Sequence, residues 1–308
     1  MRGDDKMKNK VVIIGCGNVG MSYAYSLLNQ KTAVNELVLV DLNKEKTIGE
    51  AMDLNHGLPF GPSKIDIKAG DYSDCKDAKI VMIAAGRNQD VGETRMDLID
   101  KNKQVFKDII EKVVESGFDG FFIIATNPVD IMTYITWKYS KFPKEKVIGT
   151  GTTLDSARLR YEIGNRLNIN SKNVHAYVIG EHGDTELVPW SNATLGLSNL
   201  NEFLTDEEKE KLETKVKNMA YEIIKMKGNT SYGIGMATTR ITNAILSNEN
   251  AILTISSYDE ENDLFIGYPT IINKDGAIKR LPFPLSDKEK EKYELSINTL
   301  KDVIRGIK

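Results

Sequence analysis

"VVIIGCGNVGMSYAYSL" (residues 11–27) decides how the chain is read. An apolar, β-branched run ends at Gly15, and helix-forming residues begin a few positions later. Gly15, Gly17 and Gly20 stand in Gly-x-Gly-x-x-Gly spacing. In a strand–turn–helix the first glycine permits the tight turn, the second lets the backbone approach a pyrophosphate, and the third lets helix pack on sheet. The helix start, at Asn18 and Val19, offers free N–H groups and the positive end of a dipole to an anion. Glycine turns alone are weak evidence, but a second apolar run, "ELVLVD" (36–41), ends in Asp41, about 20 residues past the last glycine. A carboxylate there accepts hydrogen bonds from ribose hydroxyls and repels a 2′-phosphate, which favours NAD over NADP. The plain alternative is a ligand-free turn, with Asp41 as a turn residue.

Outward from this stretch, apolar runs at 10–15, 36–41, 64–70, 79–86, 120–127 and 146–150 alternate with helical patterns at 18–30, 44–57, 95–116 and 128–140. Continuous β-rich runs separated by helices predict a parallel sheet covered on both faces. After about residue 150 the order becomes mixed. A helix (153–167) precedes strand-like "NVHAYVIG" (173–180) and "LVPWSNATLG" (187–196), and a long charged helix (205–227) follows. A helix at 231–247, β-rich runs at 251–259 and 265–273, and a terminal helix from 287 complete the chain. The expected architecture is α/β: a Rossmann-type doubly wound parallel sheet (9–150), then an α+β substrate domain (151–308), after a flexible lead (1–8). No repeat or low-complexity linker separates the halves, so they are expected to pack tightly.

Composition excludes several function classes. With 308 residues, 41% hydrophobic and 28% charged, the chain has the make-up of a globular protein with a large core. A net charge of −3 supplies no global field to hold nucleic acid or an anionic membrane, so any anion must be gripped by local charges. No apolar run approaches the roughly 18–20 residues of a membrane span. The opening "MRGDDKMKNK" has no apolar segment of the secretory kind, and Met7 offers an alternative start. Cys16 and Cys75 form no metal or disulfide framework, which points to a reducing compartment and a cytoplasmic protein; Cys16 reads as a small filler.

Only three histidines are available for acid–base work: His56, His175 and His182. His182 lies past a strand end in "VIGEHGDTELVPW", among glycine and carboxylates, unlike a histidine stored in a core. A general acid/base near neutrality is most often histidine, and it needs a partner to fix its tautomer. Asp155 and Arg158 in "GTTLDSARLRYEIG" are three apart on one helix face. One could hold the imidazole while the other takes a substrate carboxylate bidentately. Taken alone, they read equally as a helix ion pair of small consequence.

The set "GCGNVG", "LVLVD", "NQDVGETRMDLI", "ATNPVDIMTYI", "GTTLDSARLR", "NVHAYVIGEHGDTELVPWS" and "KGNTSYGIG" resembles, in order and over nearly the whole chain, the successive motifs of the L-lactate dehydrogenases. The resemblance implies an NAD-dependent enzyme interconverting pyruvate and L-lactate, usually a homotetramer. It implies His182 as proton donor and acceptor, with Asp155 as its orienting carboxylate. Arg158 would bind the substrate carboxylate, and Arg95 would polarise the carbonyl as its loop closes. Asn127 would contact substrate and cofactor, and Thr230 would line the pocket. No metal is implied.

Gln89 stands where malate dehydrogenases of the superfamily typically carry arginine. A neutral amide leaves a second substrate carboxylate unpaired, and spares a guanidinium from burial against a methyl group; either mismatch costs several kcal/mol by order of magnitude. Asp90 would further disfavour a dicarboxylate. The chain departs from bacterial relatives in "QDV", where "QKP" is frequent, and in Arg87, where a small residue is usual. An inward Arg87 would serve a second carboxylate, so a malate or bulkier 2-hydroxyacid dehydrogenase is the alternative; a solvated Arg87, or one near the cofactor phosphates, is the expectation. Arg160 and His175 match positions at which bacterial relatives bind fructose 1,6-bisphosphate as an activator across a subunit interface, although alone they read as a solvated cation and a strand histidine. His56 is read as a helix-end residue with no chemistry.

Overall fold

The computed structural model of the chain describes residues 9–87 and 95–307. Among these residues nine strands form one sheet in the order β12-β11-β10-β6-β5-β4-β1-β2-β3. Its parallel part comprises β1 (Lys10–Ile14), β2 (Glu36–Val40), β3 (Asp66–Ala69), β4 (Ile80–Ile83), β5 (Phe121–Ile124) and β6 (Val147–Gly149). This is the doubly wound order 3-2-1-4-5-6, whose direction reverses between β1 and β4. The inner strands are apolar runs because both faces are covered: β1, β2 and β4 are buried at every position, whereas β3, at the sheet edge, is partly exposed.

Helices α1 (Asn18–Asn29) and α2 (Lys44–Gly57) pack on one face through Tyr23, Leu27, Ala51 and Leu54. On the other, α3 (Arg95–Glu115) and α4 (Val129–Ser140) bury Phe106, Ile110, Ile131 and Ile135. The expected boundary near residue 150 falls in the turn between β6 and α5 (Thr153–Leu167). Beyond it, α5, β7 (Val174–His175) and α6 (Asp206–Lys227) enclose a core of their own, including Leu159, Ile163, Val174, Leu212 and Val216.

The second half also returns to the first sheet. Strands β10 (Ala251–Asp259), β11 (Leu264–Asn273) and β12 (Gly276–Arg280) run antiparallel and join it where Ser256 pairs with Gly149 of β6. Helix α7 (Tyr232–Leu246) lies on α1, with Tyr23 and Thr242 hydroxyls 2.6 Å apart. Helix α8 (Asp287–Ile307) joins the α3–α4 face through Ile297, Leu300 and Ile304. The two halves thus share one sheet and both of its faces.

Two sequence expectations change. The strand expected over 187–196 is interrupted by a 3₁₀ turn at Trp190–Asn192, leaving β8 as Thr194–Leu195, paired with β7 and with β9 (Ser198–Asn199). Pro189 has no N–H for a ladder, and Glu289 of α8 takes both the Ser191 N–H (3.0 Å) and its hydroxyl (2.5 Å). Likewise, of the expected strand 173–180 only Val174–His175 is ladder; Ile179 and Gly180 make single bridges to Leu187 and Gly267. Strand β12 was not expected from the sequence.

The junction of the halves tolerates no added bulk. A Cβ on Gly149 would lie 2.3 Å from Thr133 Oγ1 of α4 and 2.7 Å from Ser256 Cβ. Gly149→Val is therefore expected to destabilise the protein by about 1–3 kcal/mol, as overpacking does, measured by denaturant unfolding; an unchanged midpoint would contradict this reading of the junction.

Candidate active site

The dinucleotide turn follows directly from β1. Gly15 has φ +101°, and a Cβ there would meet Ala85 N, beyond β4, at 2.4 Å. A Cβ on Gly20 would meet Gly15 O at 2.0 Å, so helix and turn touch backbone to backbone. Gly17 is the opposite case: nothing lies within 4 Å of an added Cβ, leaving open space over the helix start. Helix α1 has no side-chain cap and no acidic residue in its first turn, so its N–H groups, with Asn18 and Val19, remain available to a phosphate. Asp41 closes the far side, accepting the Cys16 N–H at 2.7 Å and the Asn43 N–H at 3.1 Å. Its carboxylate stands at the mouth of the turn, where a ribose would lie, and the residues present fit a dinucleotide. Cys16 is the filler expected: burial first, and then the Asp41 charge, push its thiol up to about 12.

A cavity of about 470 Å³ opens beside this turn. Val19 and Asn127 line its cofactor end; Asp155, Arg158, His182 and Thr230 line the rest. Asn127 precedes α4 across a cis peptide to Pro128, and Thr230 lies in the link from α6 to α7. His182 Nδ1 lies 2.7 Å from Asp155 Oδ2, and Arg158 Nη1 donates to Asp155 Oδ1 at 2.6 Å. One buried carboxylate thus holds both groups. Burial alone would push Asp155 up, but the neighbouring imidazole and guanidinium hold it below the usual carboxylate range. For His182, burial disfavours the charged ring, yet Asp155 outweighs it and the imidazole rises to about 9. The ring is therefore an acid at neutral pH, with Nε2 free of the carboxylate.

The backbone of His182 is fixed independently. Its N–H donates to Asp130 Oδ2 of α4 at 2.8 Å, and Ser256 of β10 donates to Asp130 Oδ1 at 2.6 Å. Upstream, Gly180 and Gly267 exchange both backbone hydrogen bonds, at 2.9 and 3.0 Å, and Ser296 of α8 accepts the Glu181 N–H at 2.6 Å. Burial pushes Asp130 up to about 6, although these bonds work against the rise. Asp130, Glu186 and Lys217 are functional-site residues that sequence reasoning passed over. Asp130 and Glu186 lay inside quoted motifs, but nothing local marked them as meeting His182.

Other expected residues lie elsewhere. Arg160 faces away from Arg158 on α5; its Nε donates to Ser156 O at 3.3 Å, and no carboxylate pairs with it among the described residues. His175 is exposed on β7, and His56 lies at the end of α2. Arg87 is exposed and held by its backbone, with Asn102 Oδ1 accepting its N–H at 2.8 Å. Gln89 and Asp90 lie outside the described residues, as does the side chain of Arg95, which opens α3.

Residues 9–149 match the NAD-binding domain, and residues 152–308 the α/β C-terminal domain, of lactate/malate dehydrogenases. The chain belongs to the lactate/malate dehydrogenase family. Within that family it stands with the L-lactate dehydrogenases. It is 51% identical to L-lactate dehydrogenase 2 of Bacillus anthracis over 97% of this chain and 98% of that one. It is also 51% identical to L-lactate dehydrogenase of Bacillus pumilus, over 96% and 97%. Among solved structures, a lactate dehydrogenase from a Medee basin deep-sea metagenome library superposes with a TM-score of 0.94 at 49% identity, covering 97% of this chain and 98% of the other. The ligand-bound minor L-lactate dehydrogenase of Enterococcus mundtii gives 0.96 at 43% identity, over 98% and 99%. The family's cofactor is NAD, in agreement with the Gly15–Asp41 geometry.

With three histidines in the chain, the His182 ring can be followed by NMR. It should remain protonated at pH 8. In Asp155→Asn its midpoint should fall by at least about one unit, because the counter-charge is gone; an unmoved midpoint would show that Asp155 does not set it.

Proposed function

We propose that the chain reduces pyruvate to L-lactate with NADH and runs the reverse reaction with NAD. The observation that carries this reading is one buried carboxylate, Asp155, holding an imidazole and a guanidinium against the cavity that adjoins the Gly15 turn. NADH supplies the hydride that reaches the carbonyl carbon. Arg158 uses one donor on Asp155 and has others for the substrate carboxylate, which it takes through parallel hydrogen bonds. His182 Nε2 gives its proton to the carbonyl oxygen as negative charge grows there, leaving the lactate hydroxyl and a neutral imidazole. Asp155 holds the ring in one tautomer throughout. Asn127 and Thr230 flank the substrate in the same cavity. By resemblance, Arg95 is assigned polarisation of the carbonyl, and Gln89 the exclusion of a second carboxylate. The L configuration rests on the names of the relatives.

Fructose 1,6-bisphosphate is proposed as an activator, held by Arg160 and His175 with the same pair from a second copy. A cation with no carboxylate partner among the described residues, beside an exposed histidine-bearing strand, suits an anion that symmetry helps to grip. A homotetramer is proposed for the same chain. Ile48 and Met52 on α2 and Met236 on α7 are more than half exposed, apolar positions that a second copy would cover. No helix among the described residues is long and apolar enough to cross a membrane. The two free, buried cysteines support the proposed cytoplasmic setting.

The test is NADH consumption with a panel of 2-oxo acids. Pyruvate should be turned over far faster than oxaloacetate, and His182→Asn should lose about 10²–10⁴-fold of the rate. Oxaloacetate turnover matching that of pyruvate would instead favour a malate or broader 2-hydroxyacid dehydrogenase. In the same assay at low pyruvate, fructose 1,6-bisphosphate should raise the rate, and Arg160→Gln should abolish the rise; no response in the unmodified protein would remove the effector proposal.

A further inference from the structure

Glu186 is a buried side chain in the active cavity to which the reaction assigns no part. It lies four residues beyond His182, in a turn closed by its own N–H on Gly183 O at 3.4 Å. The residue is 4% exposed and lines the cavity. One of its carboxylate oxygens, one of Asp155 and a ring nitrogen of His182 all lie within 4.8 Å of one another. Among the described residues no hydrogen bond reaches the Glu186 carboxyl, whereas Asp155 receives one each from His182 and Arg158.

Two carboxylates this close, away from water, do not both ionise cheaply, and the better hydrogen-bonded one keeps the charge. Asp155 is that one. We propose that Glu186 is a positioning residue acting through His182: the less hydrogen-bonded of two close, buried carboxyls, it keeps its own proton while Asp155 is charged, and once ionised it helps His182 keep its proton. The proposal rests on the dehydrogenase reading above only for its consequences on turnover.

The surrounding charges favour this division. Asp155 and Arg158 face Glu186 from α5; Lys217 and Tyr221 line the same cavity from α6. His182 and Asp184 come from its own loop, and Asp130 of α4 stands behind His182. Burial, then the Asp155 charge, push Glu186 up to about 8, while His182, Lys217 and Arg158 resist. Lys217 Nζ is spent in part on Asp184 O at 3.4 Å, so it does not clamp Glu186 in the ionised form. As pH rises through this range, Glu186 becomes a second negative neighbour of the imidazolium. Its ionisation therefore extends the range over which His182 is charged, and pyruvate reduction persists to higher pH than Asp155 alone would allow.

A carboxyl whose folded value lies above its ordinary 4.5 favours folding at low pH, and that contribution fades as pH rises through about 8. Glu186→Gln removes the fading.

The experiment compares the full-length protein with Glu186→Gln by NMR titration of His182, by the pH profiles of both reaction directions, and by thermal unfolding at pH 6 and 9. The His182 midpoint and the alkaline limb of pyruvate reduction should move down together by about one unit. Lactate oxidation should be little changed at pH 7, where Glu186 is still protonated, and should gain at pH 9; the fall in Tm between pH 6 and 9 should shrink. A slower enzyme with the midpoint and limb unmoved would make Glu186 a wall of the cavity and overturn the proposal. Should Glu186→Gln not fold, Glu186→Met, which keeps the length without a titratable group, should move the His182 midpoint down likewise; no movement overturns the proposal equally. Because the NMR midpoint needs no turnover, an inactive wild-type protein would refute the dehydrogenase reading without touching this one.

Discussion

Everything in the active cavity depends on the buried carboxylate of Asp155 being shared between an imidazole and a guanidinium. With only 3% of its side chain exposed, it could not stay ionised without both partners. Its presence does two jobs at once. It keeps His182 charged and turned as the proposed proton transfer requires, and it holds Arg158 at the cavity wall with donors to spare. In the proposed reaction the two are coupled: removing the carboxylate would loosen the hold of His182 on its proton and leave Arg158 unanchored.

That arrangement places strong demands on the scaffold. Asp155 and Arg158 are delivered by a helix, where spacing alone fixes their relation. His182 is delivered by a loop, which would wander if its backbone were unsatisfied. Asp130 on α4, steadied by Ser256 of β10, and the Gly180–Gly267 bridge supply what the loop lacks. The Gly149–Ser256 junction matters for the same reason. It puts β10 against the parallel sheet, and so brings a residue from the second half to the base of α4. The His182 loop is thereby registered against the Gly15 turn across a continuous sheet.

The sequence made the local parts of this legible. The inner parallel strands were readable because a strand buried on both faces is an apolar run, and the Gly15 turn because its three glycines fall within five residues of one another. Helix α5, with Asp155 and Arg158, was bounded correctly by its own periodicity. Elements governed by distant partners were harder to read. Trp190–Asn192 looked like strand because Leu187, Val188 and Trp190 suit strands, but Pro189 and a glutamate 98 residues away decided otherwise. Strand β12 carried a signal, Asp275-Gly276 after an apolar run, which a hairpin reading would have used. Asp130, Glu186 and Lys217 carried none: Asp130 reaches His182 from α4, Lys217 reaches the cavity from α6, and the turn that brings Glu186 back beside His182 has no local mark. The expected selector Gln89 lies outside the described residues and stands on resemblance alone.

His182 carries its proton before substrate arrives, because Asp155 holds it there. A single-turnover reaction with enzyme in excess of NADH, at pH 7.5 with a pH indicator and pyruvate, tests it directly. NADH absorbance should disappear first, without proton uptake from solvent, and uptake should follow as lactate leaves and the imidazole recharges. Proton uptake on pyruvate binding, or in step with NADH loss, would mean that the histidine starts neutral and would contradict the account.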